Sequence, residues 1–230
     1  MFAFPILVWL LVLTLCLVGA YLAYRRDARR GQALAAFAAA KGWAYSARDD
    51  SWAQRFTGAP FGQGDHRQAR NIVSGTVEGH AMVAFDYSFQ THSSDGDSSN
   101  TTTHRYAVCV LGLPGYLPHL ELSPETLRTR VGNTITGHDI ELESEDFNRR
   151  YRVRADNPKF AYDVLNPRTM QALLAKPVLN LRVAGADAFC WEAGRTQPVT
   201  LLARLSALTT LLAGIPSYVW SDHNAGGAPV

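Results

Sequence analysis

The side chains best suited to chemistry in this 230-residue chain fall in one short stretch, "HSSDGDSSNTTTH", residues 92–104. His92, Asp95, Asp97, Asn100 and His104 are all metal-ligand types. A calcium loop of the EF-hand kind needs the order D-x-[DN]-x-[DN]-G with a closing glutamate. Here Gly96 stands between the two aspartates and no glutamate follows. Zinc asks for a tighter His and Cys set in an imposed geometry. The stretch therefore reads as a long, flexible polar hairpin loop without a metal. Just upstream, Asp86 of "FDY" lies on the polar face of an aromatic strand. There a role as salt-bridge partner outweighs one as general base. "FGQGDH" holds a G-x-G but lacks the strand before it and the helix after it that a phosphate loop requires. No G-x-S-x-G elbow or H-E-x-x-H motif occurs, and His66, His80, His119 and His138 are scattered. No catalytic residue and no cofactor is nominated.

Arginine is concentrated twice. "FNRRYRVR" carries Arg149, Arg150, Arg152 and Arg154. Tyr151 and Val153 alternate with Arg150, Arg152 and Arg154, the pattern of a strand with one apolar and one solvated face. The acids Asp139, Glu141, Glu143, Glu145 and Asp146 lie just before it, so local pairing is expected in place of an anion grip. The second cluster, "RRDARR", holds Arg25, Arg26, Arg29 and Arg30 directly after an apolar run. Those four are the candidate contacts to anionic lipid, at about 1 kcal/mol each near a charged surface. With this cluster set aside, residues 31–230 hold 18 basic and 19 acidic side chains, a net of −1. That balance argues against a nucleic-acid binder.

The elements that must position these groups begin with residues 2–24, which contain no charged side chain. As a helix the run would reach roughly 34 Å, enough to cross a hydrocarbon core of about 30 Å. A cleaved signal peptide would need a basic leading region and a shorter apolar core, and neither is present. A single transmembrane helix over 1–24 is expected, followed by a basic juxtamembrane segment and Ala-rich stalk helix over 25–42. The arginines after the span place the N-terminus outside and the domain in the cytoplasm, at the cell membrane. Cys16 falls in the span, and Cys109 and Cys190 sit in apolar strand-like settings typical of buried free thiols.

The remainder, 43–220, reads as one α+β domain with a mainly antiparallel sheet and several short helices, before a disordered tail over 221–230. "RQARNIVSGTV" and "AMVAFDYSFQT" form a hairpin around Glu78-Gly79. "RYAVCVLGL" is a third strand, ending at Pro114. Ser123 caps a helix over "SPETLRTR", and Ser144 caps a turn. Asn157-Pro158 and Asn166-Pro167 each start a short helix by the same N-cap and N1-proline logic. "LNLRVAGADAFCWEAG" turns as a hairpin near Gly185. "PVTLLARLSALTTLLAG" is the strongest soluble helix, too short an apolar run to be a second span.

"AFDYSF", "FNRRYRVRADNPKFAYDVLNPRTMQALL" and the terminal "IPSYVW" together resemble a bacterial, actinobacterial-type family of membrane-anchored domains of unknown function. The resemblance implies a single α+β domain beside a membrane and carries no activity, ligand or catalytic residue with it. The expected role is a binding or assembly module at the bilayer surface, with a possible protein partner. The alternative is a membrane-tethered hydrolase with a site near the Asp86 strand and the 92–104 loop.

Overall fold

The computed structural model describes residues 3–95, 98–125 and 139–224, with side chains omitted at 3–7, 10, 94, 95, 98, 139 and 222–224. One helix, α1 (Ala3–Ala40), opens the chain. It stops where Gly42 takes φ +69° and the Trp43 amide bonds back to the Ala38 carbonyl at 2.8 Å. The described apolar part of α1 is uncovered all round: Trp9, Leu11, Leu13, Leu15, Leu17 and Tyr21 are each more than half exposed. Beyond Arg30 the same helix enters the domain, where Leu34 and Ala38 are fully buried. The boundary expected at residue 43 thus falls inside the packed unit. Gly31 permits the approach, since a side-chain carbon there would come 3.0 Å from the Tyr45 hydroxyl. Among the described residues no helix is long and apolar enough to cross a membrane. The charges at Arg25, Arg26 and Asp27 close the described apolar stretch of α1 from below.

The sheet is antiparallel throughout, in the order β1-β2-β3-β4-β6-β5, with β7 on the other side of β4. Its strands are β1 (Ala44–Arg48), β2 (Asp65–Val77), β3 (His80–Asp95), β4 (Ser98–Pro124), β5 (Asp139–Ile140), β6 (Tyr151–Ala155) and β7 (Asn180–Ala193). The expected β2–β3 hairpin turns at Glu78-Gly79, both with positive φ. Side chains alternate along β3. Val83, Phe85, Tyr87 and Phe89 face a back layer with Phe56, Phe61 and Phe189, while Met82 and Ala84 face the helices.

Several sequence expectations are corrected. Residues 92–104 are not a long loop, since β3 and β4 stay paired out to Asp95 opposite Ser98. Their Ser and Thr side chains suit strands, and His92 and Thr101, like Thr91 and His104, pair across the ladder at 2.9 Å. The tip, 96–97, lies outside the described residues. β4 does not end at Pro114 but runs on to Pro124. The β3 ladder ends at Leu111 and the β7 register skips from Gly112 to Leu117, so Pro114 sits where no ladder bond is needed. Ser123 lies within β4, in register with Arg152. The rest of the helix expected over "SPETLRTR" falls in 126–138, outside the described residues. β7 is one continuous strand, with Gly185 (φ +62°) opposite Leu117 at a register shift, not a hairpin turn. Arg149 and Arg150 belong to a helix, and the strand begins only at Tyr151. Of the tail, 221–224 are helical and 225–230 lie outside the description.

The helices are α2 (Ser51–Arg55), α3 (Glu145–Arg150), α4 (Pro158–Val164), α5 (Pro167–Leu174), α6 (Pro198–Ala213) and α7 (Ser217–Asn224). Three caps match the sequence reading, with Ser144, Asn157 and Asn166 accepting from the amides of Phe147, Phe160 and Thr169. α6 lays Leu201, Leu205, Leu208 and Leu212 against the front of the sheet. Its buried Arg204 is neutralised by Glu192, Nε to Oε1 2.7 Å. Cys109 and Cys190, directly opposed on β4 and β7, are buried free thiols in this layer.

Candidate functional site

Asp86 is the point where three distant segments meet. Its Oδ1 accepts from the Thr196 amide at 2.6 Å, after β7. Its Oδ2 accepts from Asn71 Nδ2 at 2.9 Å and lies 2.8 Å from Arg30 Nη1 on α1. Both partners of this ion pair are largely withdrawn from water, with side-chain exposures of 17% for Arg30 and 12% for Asp86. Charge attraction at this range needs no good alignment, and Arg30 Nη1 and Nε are left without a hydrogen-bond acceptor. Asn71 adopts φ +52° in a β2 bulge, which aims its amide at Asp86 and its oxygen at the Tyr45 hydroxyl, 2.8 Å away. Burial raises the Tyr45 pKa, with Arg30 acting against it. Asp86 therefore acts as a latch, with both oxygens occupied, in line with the salt-bridge role read from its strand.

Beside this latch the sheet is uncovered. The apolar front face gives way at Asp86, and Ser88 and Gln90 continue the same face as polar groups. In register, Gln68, Ser88 and Arg105 form one row across β2, β3 and β4, with Arg70 beside Asp86 and Gln90 beside Thr103. α6 begins only at Pro198 and α1 departs at Arg30, so neither covers these rows. A cleft of about 300 Å³ results, whose rim is completed by Asp27, His66 and Arg195. Arg195 pairs with Asp27 across 168 residues of chain, tying the β7–α6 turn to α1. The cleft thus holds four arginines against two aspartates.

Of the four arginines expected at a lipid surface, only Arg30 turns inward. Arg25, Arg26 and Arg29 are exposed, Arg25 lying 5.7 Å from the Tyr21 ring centre. The "FNRRYRVR" cluster is engaged within the protein. Arg149 pairs with Glu145 at 2.8 Å, and Arg150 donates to the Leu174 carbonyl at 2.7 Å. β6 lies between β5 and β4, with Arg154 in register with Asp139 and Glu121. Among the described residues no three His, Cys, Asp or Glu side chains converge as a metal set would. Arg70, Arg105 and Arg195 were not singled out by their local sequence. Arg70 and Arg105 sit in the polar phase of their strands just past the apolar run, a signal that becomes specific only once register is known.

The back face carries a second arginine with a structural duty. Arg182 is 4% exposed, stacks 4.7 Å from the Phe189 ring and 5.3 Å from Trp191, and donates to the Thr57 and Ala59 carbonyls at 3.1 Å each. It pins the 57–64 strap over the aromatic layer, and burial lowers its pKa. Asp187 lines the cavity at the end of this face together with Arg55 and His119.

Neither a family model nor a curated protein matches this chain. Among solved structures, the crystal structure of the mycobacterial trehalose monomycolate transport factor A, TtfA, superposes with a TM-score of 0.60. The match covers 81% of this chain and 96% of that one at 14% identity. The likeness is one of fold. It agrees with the α+β, mainly antiparallel architecture.

Proposed function

We propose that this protein is a single-pass membrane protein whose domain works as a binding and assembly module at the bilayer surface, in the service of lipid handling. The observation that carries this reading is α1. Its described residues before Arg25 are apolar on every side and covered by nothing, a pattern suited to lipid and not to water. The charge-free sequence run from residue 2 supplies the length such a span needs. Because α1 continues without a break into the buried Leu34 and Ala38, it would hold the domain at a fixed attitude to the membrane. Arg25, Arg26 and Arg29 would meet anionic headgroups on the cytoplasmic side. The fold neighbour's role in trehalose monomycolate transport supports a membrane-associated task of this kind. The hydrolase alternative loses its strongest residue, because both Asp86 oxygens are committed to the latch.

The test is fractionation of the full chain expressed in bacteria. The protein should stay in the membrane pellet through alkaline carbonate extraction, and a chain lacking residues 1–24 should be released. Release of the full chain by carbonate would contradict the tether.

A further inference from the structure

The cleft beside the Asp86 latch has a composition that selects its ligand. Two of its four arginines are neutralised, Arg30 by Asp86 and Arg195 by Asp27. Arg70 donates from Nε only to the Gln68 side chain at 3.2 Å. The acid on which Arg70 acts electrostatically, Asp50, is already bound by Arg48 at 2.8 Å. Arg105 has no acidic partner among the described residues. A concave surface therefore presents two uncompensated guanidinium groups, on adjacent rows of one sheet face.

Guanidinium groups favour phosphoryl oxygens, to which they offer paired, charge-assisted hydrogen bonds. The remaining groups of these rows are amides and hydroxyls, Gln68, Gln90, Ser88 and Thr103, suited to the hydroxyls of a glycerol or sugar. The cleft is lined mostly by polar groups, with Tyr87 and Phe89 as its aromatic members, so a headgroup fits it better than an acyl tail. Location adds the source. Arg30 follows Tyr24 by six residues of continuous helix, about 9 Å along the axis. If Tyr24 marks the interface, the cleft opens at headgroup depth.

We infer that this cleft binds the phosphoryl group of an anionic lipid headgroup, with Arg70 and Arg105 as its principal cations. The inference rests on the proposed tether for the lipid source, while the phosphoryl chemistry rests on the cleft alone.

The experiment uses the full chain in dodecyl maltoside micelles, titrated calorimetrically with dihexanoyl phosphatidylglycerol, dihexanoyl phosphatidylcholine and inorganic phosphate. Phosphatidylglycerol should bind saturably, and the other two about tenfold more weakly or worse. The double change Arg70→Gln, Arg105→Gln should weaken phosphatidylglycerol about tenfold or more without shifting the melting temperature, since both side chains are exposed. The double change Arg70→Lys, Arg105→Lys should keep part of the affinity, and Arg149→Gln should have no effect. Equal affinity in wild type and the double variant overturns the site, and equal affinity for inorganic phosphate overturns the lipid assignment. Micelle binding does not depend on a bilayer span. Loss of the tether in carbonate extraction and loss of binding here are therefore separate results.

Discussion

Asp86→Ala isolates the latch that holds α1 to the sheet. The substitution removes a carboxylate that is 12% exposed and leaves the Arg30 guanidinium, 17% exposed, without its counter-charge. Breaking a buried pair from one side costs about 3–5 kcal/mol, and the residual exposure here places the ion-pair part at the low end. The Thr196 amide loses its 2.6 Å acceptor as well, which adds about 1 kcal/mol if water replaces it in part. The expected loss is therefore about 3–4 kcal/mol. At roughly 2–4 °C per kcal/mol for a domain of this size, the melting temperature should fall by about 6–16 °C. Arg30→Ala should cost less, because Asp86 keeps its bonds from Thr196 and Asn71. The assay is urea unfolding of the full chain in nonionic detergent, followed by tryptophan fluorescence, for both single variants and the double variant. A coupling energy of about 1.5–3 kcal/mol is predicted for the cycle. If Asp86→Ala stays within about 0.5 kcal/mol of wild type, or the coupling is absent, the pair is a surface contact and the latch reasoning is wrong.

Two further outcomes follow from the back face. Arg182→Ala removes two carbonyl contacts and two ring contacts, and should cost about 2–4 kcal/mol while exposing the 57–64 strap to limited proteolysis. An unchanged cleavage pattern would show that the strap is held by Phe56 and Phe61 alone. Burial raises the Asp187 carboxyl above the ordinary aspartate value of 3.8, with Arg55 opposing. The folded state then holds this proton more tightly than the unfolded chain, so the contribution of Asp187 to stability is fully present below 3.8 and is lost as pH rises from there through its higher folded value. Asp187→Asn should raise the melting temperature at about pH 7 and give no gain at about pH 3. An equal gain at both values would remove titration as the cause.

Local rules made much of the scaffold readable. The caps at Ser144, Asn157 and Asn166 are set by neighbours three residues away, and the alternation of β3 is written in five residues. Leu201 to Leu212 fix which face of α6 is buried. The length of β4 was hidden because Pro114 normally ends a strand, and only the lapse of pairing on both sides permits it here. The 92–104 stretch misled by composition, since a polar sequence pairs as well as an apolar one once β3 sets its register. The cleft was the least legible feature. Its members meet through contacts such as Arg195 with Asp27 and Thr196 with Asp86, the latter 110 residues apart, and through strand register that no local pattern specifies. Arg30 could be recognised as part of a basic cluster, but not as the one member drawn into the domain.

The central claim is that α1 threads the membrane once and leaves the domain, with its cleft, on the cytoplasmic side. A pair of reporters fused after Val230 in the full chain addresses it directly. Green fluorescent protein should fluoresce there, and alkaline phosphatase at the same position should be inactive. An active phosphatase with a dark fluorescent fusion would put the domain outside and contradict the account.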